Sequence, residues 1–334
     1  MKLYEIAVTN EPEEYLPKDW KQKFPRRHDV KDGDLAVSEV LRYLKERLKL
    51  IVNTSSKPPV LLLSGGIDSI LIAAVLADLE PDTVAVTFHW QGAGEAEAES
   101  VAEVENATAV ARQFELRHHV LTPDPKEFQS GISDVIRYLE TTEPWEILAG
   151  YIYFSVDQFC QKHHLEGPLV SGAGADVLTL GGKEFRAKHT DSETMNSWAD
   201  EVESEVSRTF TRNRFIPDFY ERILSDPDNH FKVWQTNAAV DLARHLHPEA
   251  VRGTGLELDK KIFRMAAQKV GVPEQYCFAP KSPMQVSSGG LSGLVHGARK
   301  MLGEQFGEQT YSDPMEEPLQ FTVARLYLNA LRED

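Results

Sequence analysis

The sequence predicts an α/β fold: a mainly parallel sheet with helices on both faces, and a C-terminal half that is largely helical. Three observations lead there. Pro59-Val60-Leu61-Leu62-Leu63 is an unbroken apolar run of strand length between turn-forming residues, as expected of a strand buried on both faces. Segments with helical spacing alternate with runs of this kind along the first half of the chain. Two of the runs end in a loop of serine, glycine and a single aspartate, Ser64-Gly65-Gly66-Ile67-Asp68-Ser69 and Ser171-Gly172-Ala173-Gly174-Ala175-Asp176.

Residues 1–34 show no period and read as an arm or short strand followed by loops. From Leu35 to Val52 the residues Val37, Val40, Leu41, Leu44, Leu48 and Ile51 recur at helical spacing. The strand at Pro59–Leu63 and the Ser-Gly loop lead into a helix over Ile70–Leu79. Thr83–Phe88 is a second strand and Glu95–Phe114 an acidic helix, in which Glu95, Glu97 and Glu99 read as solvated charges. Leu116–Leu121 is a third strand; its His118 and His119 point to opposite faces and read as packing residues. Helices follow at Phe128–Leu139 and Tyr151–His164, with Pro144 taken as a breaker between them. Pro168–Val170 is a fourth strand. Residues 183–231 read as an insertion or substrate flap, acidic at Asp200–Glu205 and basic at Arg208, Arg212 and Arg214. Either Arg212 or Arg214 would suit a substrate carboxylate. Further helices are expected at Asn237–Leu246, stopped by Pro248, and at Leu256–Val270, with Lys260, Lys261 and Arg264 on its polar side. A final helix, Leu319–Leu331, would bury Phe321, Ala324, Leu328 and Leu331, for packing or a homodimer contact.

The whole-chain totals narrow the classes. A formal charge of −16 over 334 residues disfavours a broad nucleic-acid partner, whose affinity rests on clustered Lys and Arg. Cys160 and Cys277 are far apart and form no CxxC, which argues against a disulfide framework and a zinc site. No apolar run is long enough for a signal peptide or a membrane span, so a cytoplasmic location is expected.

Strand, small polar loop and helix in that order place backbone N–H groups and a positive helix end where an anion sits. A carboxylate inside such a cradle makes sense when a divalent cation bridges it to phosphates. Loops at two strand ends, each with one aspartate, imply that Asp68 and Asp176 hold one Mg²⁺ between them, since open α/β sheets bind ligands at the carboxyl ends of their strands.

The first loop resembles the SGGxDS loop of the PP-loop ATP pyrophosphatases. The wider order, through the ETxxP segment at Glu140 and the Leu180-Gly181-Gly182 turn, resembles the synthetase domain of the asparagine, β-lactam and carbapenam synthetases, over about Leu35–Gly182 and more faintly Ala238–Gly290. The resemblance implies that Ser64, Gly65, Gly66 and Ser69 hold pyrophosphate, that Asp68 and Asp176 bind Mg²⁺, and that Ser171 and Gly172 touch the nucleotide. It also implies that Lys281, in the loop Phe278–Gly290, meets phosphates and the charge built during acyl transfer. The organisation implied is an arm (1–34), an ATP-binding synthetase domain (35–182) and a helical substrate-binding and lid region (183–334). Expected cofactors are ATP and Mg²⁺; expected partners are a small carboxylic acid and ammonia or an amine.

Three departures qualify this. Lys2 stands where the family's glutaminase cysteine would be, so nitrogen is expected as free ammonia, from a separate glutaminase or as a substrate amine. Ala173 replaces the Glu or Tyr of the second loop, which leaves Glu257, Asp259, His118 and Glu143 as unranked candidates for the base. Gly255–Asp259 keeps only the last Leu-Asp of RxPFLD. The expected activity is an AMP- and pyrophosphate-forming ligase that makes an amide. A nucleobase- or tRNA-modifying pyrophosphatase and a non-catalytic nucleotide-binding protein are the alternatives.

Overall fold

The structure, a computed structural model, describes residues 16, 19–91, 97–186, 190–210, 216, 218–279, 283–306 and 318–332. Its centre is a parallel sheet of five strands in the order β3-β2-β1-β4-β5. The N-terminal part supplies α1 (Trp20–Lys23), α2 (Gly33–Val52), β1 (Val60–Leu62), α3 (Ile67–Leu79), β2 (Val84–Phe88), α4 (Glu97–Gln113) and β3 (Arg117–Leu121). The chain then recrosses the sheet through α5 (Pro125–Leu139) and α6 (Pro144–Lys162) to reach β4 (Leu169–Ser171), on the other side of β1. After α7 (Ala175–Thr179), α8 (Ser192–Thr209) and α9 (Phe219–Ile223), β5 (His230–Lys232) closes the sheet. The remainder is helical: α10 (Asn237–His245), α11 (Pro248–Arg252), α12 (Lys261–Lys269), α13 (Glu274–Cys277), α14 (Met284–Ser287), α15 (Gly290–Phe306) and α16 (Leu319–Arg332).

Strand alternation sorts the interior into two cores. Val60, Leu62, Val84, Val86 and Phe88 face a core built with α5, α6, α9, α15 and α16. Leu61, Leu63 and Ala85 face the opposite core, built with α2, α3, α4, α8, α10 and α12. Burial on both faces explains why these strands read as continuous apolar runs rather than alternating ones.

Several boundaries differ from the sequence expectation. Helix α3 starts at Ile67 rather than Ile70, so Asp68 lies in its first turn. Pro144 and Pro248 begin helices α6 and α11 instead of ending the preceding ones, because at the first helical position the missing N–H costs no hydrogen bond. Residues 183–231, read as an insertion or substrate flap, include α8, α9 and the first residues of the edge strand β5. Helix α12 begins at Lys261, not Leu256, and Leu258 is exposed. Among the described side chains of α16, Val323 and Leu326 are buried whereas Phe321 and Leu328, expected on the inner face, are exposed; the side chain of Leu331 lies outside the described residues. No described helix is long and apolar enough to cross a membrane. Cys160 and Cys277 form no disulfide, and burial pushes their thiols up to about 12 and about 11.

Candidate active site

The sheet order reverses direction between β1 and β4, and the carboxyl ends of these neighbours are where an open α/β sheet leaves a crevice. The two Ser-Gly loops occupy this crevice. In the first, Ser64 and Ser69 fold onto one another: the Ser64 N–H donates to Ser69 Oγ at 3.1 Å, and the two hydroxyls lie 3.0 Å apart. Gly66 caps α3 without a side-chain bond. The first-turn amides of a helix have no carbonyl partner within it, so they are available to an anion. Gly65 is required by close packing, since a Cβ there would overlap the main chain of Glu103 in α4.

The second loop packs directly against the first. A Cβ on Gly172 would touch Asp68 Cβ at 3.4 Å. Gly174 takes a left-handed φ of 97°, with its Cα against the main chain of Trp234, and this turns the chain into α7 so that Asp176 falls in the first turn. Ser171 is anchored from β5, its Oγ 2.8 Å from His230 Nε2.

A residue absent from the sequence-based set joins the two loops. The ammonium of Lys260 lies 2.5 Å from Asp68 Oδ2 and 2.5 Å from Asp176 Oδ1. Lys260 is 0% exposed, whereas the side chain of Asp176 is 57% exposed. The three groups thus run from the interior to the cavity surface. Lys260 precedes α12 in a left-handed conformation, φ 52°, and its carbonyl accepts from Phe263 and Arg264 at 3.0 and 3.1 Å. Buried Arg252 fixes the surrounding turns by donating to Leu256 O at 2.9 Å and Leu180 O at 2.8 Å. Burial lowers the pKa of Arg252, with the Asp259 carboxylate opposing that shift.

A cavity of about 370 Å³ opens over this arrangement. Ser64, Asp68, Ser69, Ser171, Gly172 and Asp176 line one side; Ala149, Tyr153, Phe219, Tyr220 and Met284 give the other an apolar and aromatic wall. Of the other predicted residues, Gly65 and Gly66 lie in the first loop, and Asp259 lines the cavity. His118 instead bonds to Thr87 Oγ1 at 2.7 Å, with burial and neighbouring His119 lowering its pKa to about 4. Glu143 caps α6, its carboxylate accepting from Trp145 N at 3.3 Å. Glu257 is not part of the lining. Lys281, Arg212, Arg214 and Glu95 lie outside the described residues, as do the side chains of Glu97 and Glu99. The described part of the Lys281 loop borders the cavity through Pro283, Met284, Gln285 and Ser287.

The donor set suits magnesium. Two carboxylates already share one cation, the ammonium, and the cavity lining adds oxygen donors from Ser64, Ser69 and Ser171 and from the carboxylate residues Glu103 and Asp259. Among the described residues no cluster of three or more His, Cys, Asp or Glu could enclose a metal unaided. Magnesium is commonly held by one or two carboxylates with phosphate oxygens and water completing its shell.

The sequence matches the family described as asparagine synthase over residues 43–249, more than half of the chain. No curated protein matches it. Three solved structures are similar. One is the NH3-dependent NAD synthetase of Campylobacter jejuni, 17% identical, with a TM-score of 0.32 over 53% of this chain and 77% of that one. The U34-tRNA thiolase of Methanococcus maripaludis is 11% identical, with a TM-score of 0.36 over 88% of this chain and 79% of that one. The NMN synthetase of Francisella tularensis is 10% identical, with a TM-score of 0.32 over 75% of this chain and 98% of that one.

Proposed function

The chain belongs to the asparagine synthase family, and we propose that it is an ATP-dependent, AMP- and pyrophosphate-forming ligase that joins a small carboxylic acid to ammonia or an amine. The observation that carries this reading is the convergence of Asp68 and Asp176 on one ammonium at the tips of adjacent parallel strands. Two acidic side chains this close are costly unless a cation sits with them, and their position beside the first turn of α3 supports a site for phosphate and metal together.

In this reading the α3 amides and the hydroxyls of Ser64 and Ser69 bind the pyrophosphate portion of ATP. Ser171 and Gly172 flank the nucleotide. Asp68 and Asp176 would hold Mg²⁺, which when bound neutralises the triphosphate and stabilises the pyrophosphate as it leaves. The acid lies against the wall of Tyr153, Phe219 and Tyr220, where its carboxylate oxygen faces the α-phosphorus. Attack forms the acyl–phosphate bond and breaks the bond to pyrophosphate; the amine then displaces AMP at the acyl carbon and gives up a proton. Asp259 is the candidate base that borders the cavity. Holding the reactants in line, with their charge neutralised, does most of the catalytic work.

The test is exchange of labelled pyrophosphate into ATP across a panel of small carboxylic acids. Exchange should require one acid or a narrow group of acids and fall at least ~100-fold in Asp68→Asn. Exchange that depends on RNA, or on no added acid, would refute the ligase reading.

A further inference from the structure

We propose that Lys260 is a built-in counter-ion that competes with divalent metal for the Asp68–Asp176 pair, so that the pair takes up metal only when bound phosphates draw the ammonium away. This rests on the reading of the two aspartates as the cation-holding pair of an ATP-using site. Both carboxylate oxygens lie 2.5 Å from Lys260 Nζ, which puts them within about 5 Å of each other. A magnesium ion with bonds of about 2.1 Å reaches two oxygens about 4 Å apart, so a small side-chain rotation brings the pair onto one metal. That position is next to the one the ammonium holds now.

Electrostatics makes the two occupants exclusive. With Lys260 in place the trio carries one net negative charge, and a divalent ion approaching it meets a positive neighbour at contact distance. With the lysine withdrawn the pair presents two negative charges to the metal. A buried ammonium does not leave carboxylates without another anion to meet, because an uncompensated charge in the interior is expensive. Phosphate on the adjacent α3 amides is such an anion.

The mechanics also suit a swing of the side chain alone. The Lys260 main chain is pinned by its bonds from Phe263 and Arg264, and the preceding carbonyl of Asp259 accepts from Arg264 Nε at 2.8 Å. What can move is the four-carbon stem, a flexible carrier of a point charge. Gly181 keeps the path open, because a Cβ there would collide with Lys260 Cε and with Asp176 Oδ1.

The test is titration of the nucleotide-free full chain with Mn²⁺, followed by the paramagnetic resonance of the free ion. The wild type should take up Mn²⁺ at least ~10-fold more weakly than Lys260→Gln. Lys260→Met, which fills the same volume without charge, repeats the comparison if the glutamine variant does not fold. Equal affinities in wild type and variant overturn the proposal. So does tight, submillimolar binding of one Mn²⁺ to the wild type that Asp68→Asn abolishes, an outcome readable without any Lys260 variant. Failure of acid-dependent exchange would strike the ligase reading and leave this titration interpretable, whereas equal Mn²⁺ affinities with exchange intact would strike the Lys260 role alone.

Discussion

Gly181 has no side chain at a point where two charged groups need the space. A Cβ there would overlap both the Asp176 carboxylate and the Lys260 stem, so its role is to leave room for an ion pair. Gly181→Ala should push Asp176 off Lys260 and reduce acid-dependent pyrophosphate exchange by roughly 10- to 100-fold, with the far-UV circular dichroism unchanged. Wild-type exchange in this variant would show that the contact is dispensable. At this scale the sequence was legible where chemistry forces unusual residue types together: a lone aspartate among serines and glycines marked Asp68 and Asp176. Lys260 was not legible. Its neighbours continue the helical spacing of α12 backwards, which places Lys260 beside Lys261 and Arg264 on a polar face. A left-handed residue just before the helix breaks that phase and turns the side chain inward. Nothing in one sequence marks a non-glycine residue that will adopt φ 52°.

At the scale of elements, one carboxylate of α8 gathers three cations from other parts of the chain. Glu203 accepts from Arg26 Nε at 2.5 Å and Arg244 Nη1 at 2.7 Å and pairs with Lys21 Nζ at 3.1 Å, which ties α8 to the segment around α1 and to α10. Burial works against ionisation here, but the hydrogen bonds from Arg26, Arg244 and Lys21 outweigh it and hold the carboxyl down to about 2. A group whose pKa is lower folded than unfolded stabilises the protein above its unfolded pKa. That contribution is therefore complete above pH about 4.5 and lost as pH falls toward 2. Thermal melts of the wild type should lose stability steeply as pH falls from about 4.5 toward 2, while Glu203→Gln, on the order of 3 kcal/mol less stable at pH 7, should show a flatter profile in that window. Parallel profiles would mean that the knot contributes nothing. This region read as a loose insertion because its charges, taken along the chain, look like a solvated face. Their partners lie 41 and 177 positions away, beyond any local pattern. Strand β5 was hidden for a related reason, since His230 and Lys232 are buried polar residues in a strand of three.

For the molecule as a whole, the C-terminal segment returns across the sheet to complete the cavity. Trp90, just past β2, donates its main-chain N–H to Ser288 O at 2.8 Å, and its indole lies where a Cβ on Gly293 would stand, 2.6 Å from Nε1. Helix α15 can therefore sit this close to the sheet only with glycine at that point. The alternation of helix and strand that revealed the sheet says nothing about how a distant helix folds back onto it, and so the contact could not be anticipated. One turn further along, Gly297 faces open space, which gives an internal control on the same helix. Gly297→Ala should leave exchange unchanged and stabilise the protein by about 0.5–1 kcal/mol, the usual gain from replacing glycine inside a helix. Gly293→Ala makes the same helical gain but has to move an indole ring; it should lower the melting temperature and raise the KM for ATP and acid as Met284, Gln285 and Ser287 shift away from the cavity. If the two variants behave alike in melting and kinetics, the position of α15 does not control the cavity, and its wall is set by the sheet loops alone.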